Sequence, residues 1–263
     1  MEKEKPATVV AISNQKGGVG KTSTASSFAA GLARKGYQVL VIDIDPQGNL
    51  STGADADVSD SAYTILEVMK EGIDPREAIQ HRPSFDIIPA DLSLAVYEQE
   101  LISLSFGRDM RLKEVITPLR ELYDFIIIDT APSLSMLTIN ALAAADEVII
   151  PATAEFFATK GLEQLYDTIQ KVRRYSGNPG LKIAGILFTM HDPRTINGQA
   201  VREGTMGYAA SIGTFIYDTF IRRAVAMGES QTNRMDIYTF NPKATVAKDY
   251  MAFVDEYLAR KEW

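Results

Sequence analysis

Residues 14–24 read NQKGGVGKTST, which places three glycines and two lysines within six consecutive positions. Gly17, Gly18 and Gly20 allow backbone N–H groups to converge on an oxyanion with no Cβ in the way, and Val19 adds its own amide to the same turn. Lys21 has the reach for the outer phosphates of a triphosphate. The Thr22 hydroxyl is placed for Mg²⁺, with Ser23 next to it. The spacing follows G-x-x-x-x-G-K-[ST] except at its first position, which is Gln15, and an additional lysine, Lys16, precedes the glycine pair. A glycine turn flanked by two solvated lysines is the plainer alternative. It accounts less well for a loop set between an apolar strand and a helix.

Two acidic strand ends carry the same chemistry further. Residues 125–129 read FIIID, and Asp129 suits a carboxylate that supports Mg²⁺. Residues 43–49 read DIDPQGN. Asp43 and Asp45 point to one side of an extended chain, and either can orient an attacking water. Taken alone, this segment is better explained as a strand-terminal turn shaped by Pro46 and Gly48.

Positioning these groups requires strands that end where the loops begin. Short β-branched or apolar runs at 8–13, 38–44, 85–88, 125–129, 147–151 and 182–188 read as strands, and 212–217 is a candidate seventh. Helical spacing at 22–34, 62–70, 92–104, 112–123, 135–144 and 161–175 lies between them. Strands alternating with helices predict an α/β fold, a doubly wound, mostly parallel sheet flanked by helices. Its functional residues belong at the carboxyl ends of the strands. No repeat or linker is evident, so one domain over 1–263 is the expectation.

Composition narrows the function classes. There is no cysteine, which excludes disulfides, thiol catalysis, Cys-ligated zinc and iron–sulfur clusters. The two histidines, His81 and His191, are too few for a histidine metal site. No signal peptide or apolar run of spanning length is present, so the expected compartment is the cytoplasm. The net charge is −7, but residues 171–234 hold nine Lys/Arg against four Asp/Glu. That local excess is either a basic binding surface or a solvated helical face.

Together the three motifs resemble the deviant Walker-A ATPases of the ParA/MinD type. The loop has the family form K-G-G-x-G-K-[ST], residues 43–49 match D-x-D-P-Q-x-N, and 126–132 (IIIDTAP) match the third motif. Residues 188–195 (FTMHDPRT), 221–230 (IRRAVAMGES) and 241–250 (NPKATVAKDY) are similar to downstream segments of plasmid-type ParA proteins, so the resemblance covers nearly the whole chain. It implies the P-loop NTPase fold, ATP/ADP and Mg²⁺ as ligands, and slow, partner-stimulated hydrolysis. Lys16 would cross a dimer interface to the partner's nucleotide, Lys21 would serve its own, and Asp45 would position the hydrolytic water. Thr22, Asp45 and Asp129 would serve the metal. The resemblance further implies an ATP-dependent homodimer, non-specific DNA binding, association with the nucleoid when ATP is bound, and a ParB-like centromere-binding partner. Met190, Asp192 and Arg223 lie near the expected base site. Arg194, Arg222 and Arg223 are the candidate DNA contacts, with Lys171, Arg173 and Arg174 behind them, and an arginine in these loops can equally contact nucleotide or form a salt bridge. The helix-turn-helix extension of some plasmid members is not expected, because the loop begins so early.

Other members of the superfamily fit less well. A MinD-like membrane ATPase ends in a basic amphipathic helix. Here Ala247, Tyr250, Met251, Val254 and Leu258 form the apolar stripe in the company of Asp249, Asp255 and Glu256, which favours packing on the domain over binding anionic lipid. Reductases of the nitrogenase-iron-protein type need cysteines. A nucleotide-sensing adaptor without turnover remains the alternative from another class.

Overall fold

The computed structural model describes residues 5–153, 158–192 and 196–261, with 158–160 and 196–200 described by backbone alone. Arg194, one of the candidate DNA contacts, falls outside them. The strands are β1 (Thr8–Ile12), β2 (Val39–Asp43), β3 (Gln80–His81), β4 (Asp86–Ile88), β5 (Phe125–Asp129), β6 (Glu147–Thr153) and β7 (Lys182–Thr189). They form one sheet in the order β3-β4-β2-β5-β1-β6-β7. Every pairing is parallel except β3 with β4. The helices are α1 (Lys21–Arg34), α2 (Asn49–Gly53), α3 (Ile65–Glu71), α4 (Leu94–Ser103), α5 (Arg111–Ile116), α6 (Met136–Ala144), α7 (Ala158–Tyr175), α8 (Ile196–Ser211), α9 (Val225–Thr232), α10 (Ile237–Phe240) and α11 (Thr245–Lys261).

The sheet is buried on both faces, which is why its strands read as continuous apolar runs instead of alternating ones. In β1, Val9 and Ala11 enter the core beneath α3–α8, while Val10 and Ile12 enter the core beneath α1, α10 and α11. The second core is aromatic. Phe28 meets Phe253 and Tyr257 at centroid distances of 5.4 and 4.8 Å, and Tyr217 meets Phe253 at 4.8 Å. Ala247, Tyr250 and Val254 of the α11 stripe are buried here, and Met251 and Leu258 pack on its edge. That stripe is therefore spent within the protein.

The chain departs from the sequence expectations in three places. Residues 212–217 do not form a seventh strand. A turn at Gly213 (φ 72°) follows α8, and only an isolated bridge ties Ile216 to Ile186 of β7. The sheet's seventh strand is instead the two-residue β3, too short for a hydropathy period to register. The helix expected over 112–123 stops at Ile116 and tightens into a 3₁₀ turn over Thr117–Leu119, because Pro118 supplies no N–H to continue it.

Candidate functional site

β1 lies at the switch point of the sheet: β2–β5 lie to one side of it and β6–β7 to the other. A crevice at the carboxyl ends is expected there. Register fills it with charge. Ile12, the last residue of β1, pairs with Asp129 of β5, and Asp129 pairs in turn with Asp43 of β2. One row across three strands thus sets two carboxylates at the root of the glycine loop.

The loop is anchored from several sides. The Asn14 amide donates to the Pro151 carbonyl at 2.7 Å and accepts the Lys16 N–H at 3.0 Å. The Thr189 hydroxyl donates to the Val19 carbonyl at 2.7 Å. Gly18 and Gly20 take φ values of 70° and 78°, where a side chain is strained. Gly20 is the N-cap of α1 and provides no side-chain cap, so the first-turn N–H groups remain available to an anion. Thr189 carries no signal in the motif itself; only the fold brings it to the loop.

Four ionisable groups meet at this point. Lys21 is only 7% exposed, and its ammonium donates to the Lys16 carbonyl at 3.1 Å. Burial lowers its pKa, against the opposing pull of Asp129 and Asp45. Asp129 is fully buried. Burial and then the neighbouring Asp43 raise its pKa well above the usual carboxylate range, with the Thr22 hydroxyl and Lys21 acting the other way. Neither Asp129 oxygen has a partner at bonding distance, so Thr22 stands near without satisfying it. Asp43 is pushed up to about 6, chiefly by burial.

Asp43 and Asp45 have separate duties. Asp43 Oδ2 accepts from the Ser51 N–H at 2.9 Å and the Ser51 hydroxyl at 2.7 Å, and its Oδ1 accepts from the Asp45 N–H at 3.1 Å. Ser51 Oγ also accepts from the Ala90 N–H at 2.9 Å. Asp43 is therefore occupied in fastening α2 to the sheet. Asp45 lines the open cleft, a space of about 460 Å³ bounded also by Gly18, Lys21, Thr22 and Pro132. Gln231 and Thr232, from the end of α9, form its far wall. The Gln231 amide donates to the Ser23 hydroxyl at 3.1 Å. Sequence reasoning missed these two residues, since no spacing rule links positions so far from the loop.

The donor set suits a hard cation shared with a phosphate. Among the described residues no group of three His, Cys, Asp or Glu side chains is placed to hold a metal alone. The two bare Asp129 oxygens and the Thr22 hydroxyl offer part of a shell that phosphate oxygens and water complete, as is usual for Mg²⁺.

A second cleft of about 230 Å³ opens on the other side of Gly20 and Ser23, lined by Thr189, Met190, Arg223 and Met227. Met190 and Arg223, two of the residues expected near the base, thus line one cleft. Asp192 is half-buried and not among the lining residues. Arg222 also reaches this cleft, but its guanidinium is engaged by Asp249 through Nε–H (2.9 Å) and Nη2–H (2.5 Å). Arg173 donates to the Leu181 carbonyl at 2.8 Å, just ahead of β7, in the part of α7 that also carries the exposed Lys171 and Arg174. Arg222 and Arg223 follow Ile221, which bonds to Phe188 near the other end of that strand. Among the described residues the candidate DNA contacts therefore divide into two groups at opposite ends of β7.

Comparison with known proteins places this geometry. A family model described as an AAA domain matches residues 7–183. The chain is 38% identical to the sporulation initiation inhibitor protein Soj of Bacillus subtilis, over 95% of this chain and 98% of that one. It is 38% identical to the chromosome partitioning protein ParA of Caulobacter vibrioides, over 97% and 96%. Among solved structures it resembles a cobyrinic acid a,c-diamide synthase from Mycobacterium smegmatis with bound ADP and magnesium, with a TM-score of 0.83 and 32% identity over 97% and 96% of the two chains.

Proposed function

The chain belongs to the ParA/Soj/MinD superfamily of P-loop proteins, and from that membership we propose that it is an ATPase of DNA segregation, a switch that ATP assembles into a DNA-binding dimer and hydrolysis releases. The observation that carries the ATPase reading is the pairing of a glycine cradle with unspent charge. Lys21 and the bare Asp129 carboxylate sit beneath the cradle, and Asp45 faces them across the cleft.

The residues divide the work. N–H groups of 17–21 receive phosphate oxygens, and the α1 N-terminus adds its dipole. Lys21 exchanges the Lys16 carbonyl for β- and γ-phosphate oxygens. Thr22 and Asp129 hold Mg²⁺, which when bound draws charge off the bridging phosphates. Asp45 orients the attacking water in line with the scissile bond. Lys16 reaches the nucleotide of a second copy, so that two ATP molecules are sandwiched between two chains. Met190 and Arg223 flank the base. A basic surface too weak in one chain gains avidity in two, which makes DNA affinity follow nucleotide state. A ParB-like partner accelerates hydrolysis and resets the cycle in the cytoplasm. Among the described residues no helix is long and apolar enough to cross a membrane.

The test is turnover and mass measured together. Wild type should hydrolyse ATP only with Mg²⁺, Lys21→Ala and Asp45→Ala should lose turnover, and Lys16→Ala should bind nucleotide yet scatter light as a monomer. Normal turnover in Asp45→Ala, or normal dimers in Lys16→Ala, contradicts the assignment.

A further inference from the structure

Gln15 occupies the position at which the phosphate-loop consensus has glycine, and its half-buried side chain reaches across the surface to a helix. Its amide Nε2 donates to the Gln164 Oε1 of α7. Gly161, one turn earlier on α7, lies against the same side chain: a Cβ there would sit 3.4 Å from Gln15 Nε2, an ordinary contact. We propose that Gln15 is a positioning residue that couples the phosphate loop to α7, so that the nucleotide state of the loop sets the orientation of that helix. The proposal rests on the ATP-binding reading above.

The linkage has a defined input. Gln15 sits between Asn14, whose amide is fixed to Pro151, and Lys16, whose N–H is fixed to Asn14. The Lys16 carbonyl accepts from the Lys21 ammonium at 3.1 Å. When Lys21 turns to phosphate, that carbonyl is released, and the Lys16–Gly17 peptide, one residue on from Gln15, is free to adjust. The output is equally defined. α7 has 18 residues and spans about 27 Å as one rigid body. Leu162, Leu165, Ile169 and Val172 bury one face, so a shift at one end is carried along the helix and not absorbed by bending. Its far end carries Lys171, Arg173 and Arg174, distant from the cleft. A displacement at Gln164 therefore reaches a basic surface that the nucleotide itself does not touch.

The experiment follows hydrogen exchange along α7 with no nucleotide and with Mg²⁺ and a non-hydrolysable ATP analogue, in wild type, Gln164→Ala and the paired exchange Gln15→Glu with Gln164→Lys. Nucleotide affinity is measured in parallel. Wild type should show analogue-induced protection over residues 164–175. Gln164→Ala should bind the analogue as wild type does, yet lose protection by roughly two- to tenfold, the value of one net hydrogen bond. The paired exchange, which substitutes an ion pair for the amide pair, should restore it. An α7 response in Gln164→Ala equal to wild type, or none in wild type with analogue bound, overturns the proposal. Failure of wild type to bind the analogue overturns the ATP-binding reading instead, so the two failures are distinct.

Discussion

Asp129→Asn should make the nucleotide-free protein more stable and, in the same molecule, remove its response to Mg²⁺. The carboxylate is fully buried, both oxygens lack partners, and its neighbour across the ladder is another acid, Asp43. Asparagine keeps the shape and removes the charge. It removes the repulsion from Asp43 and the cost of an unsatisfied buried group, about 1–3 kcal/mol, against which stands the lost attraction of Lys21. The amide still finds few partners, so the gain falls toward the lower half of that range. Urea unfolding near neutral pH measures it as a rise in midpoint at unchanged slope. The second arm repeats the unfolding with Mg²⁺ and a non-hydrolysable ATP analogue. At a hundredfold excess over Kd, wild type should gain about 2.7 kcal/mol. The variant should gain far less, because the ligand group is gone. A nucleotide-free variant that loses more than about 1 kcal/mol would show that Asp129 is an ordinary structural acid, satisfied in solution, and would refute the reasoning.

Other consequences can be checked with the same tools. Ser51→Ala removes the hydroxyl that links Asp43 to the Ala90 N–H, and should cost about 1–3 kcal/mol in urea unfolding by leaving both groups short of a partner. Gly31→Ala should destabilise by about 1–3 kcal/mol despite alanine's better helix propensity, since the new Cβ would lie 2.7 Å from Val254 and 2.8 Å from the Tyr238 hydroxyl; an unchanged unfolding midpoint would show that α11 yields freely. Asp236 is half-buried. Burial alone would raise its pKa, but hydrogen bonds from Thr239 and Ser84, with Arg34 nearby, hold it below the usual value. Its stabilisation is therefore present above the unfolded-state pKa and is lost as pH falls through the lower folded value. Asp236→Asn should accordingly flatten the acid limb of a stability–pH profile.

Much of the site was legible in the sequence because it is local. Residues 15–22 form one turn, and FIIID and DIDPQ end strands whose apolar runs mark them clearly. The α11 stripe could likewise be assigned to packing from the acids beside it. What escaped was whatever depends on contact between distant segments. Thr189 under Val19, Gln231 on Ser23 and Gln164 on Gln15 are joined by the fold across 149 to 208 positions. The residue reading alone left Asp43 and Asp45 interchangeable, and only the resemblance separated them, for a related reason: Ser51, which occupies Asp43, lies on a five-residue helix too short to show a hydropathy period. The segment 212–217 misled because Phe215 and Tyr217 look like a strand, whereas they pack on Gly185 and the α11 aromatics beside a sheet that already ends at β7.

The central claim is that the triphosphate loop gates DNA binding. The direct measurement is affinity for a DNA duplex of arbitrary sequence with ATP, with ADP and without nucleotide, across a series of salt concentrations. The account predicts tight, steeply salt-dependent binding with ATP alone, and its loss in Lys16→Ala. Equal affinity in all three nucleotide states would contradict it.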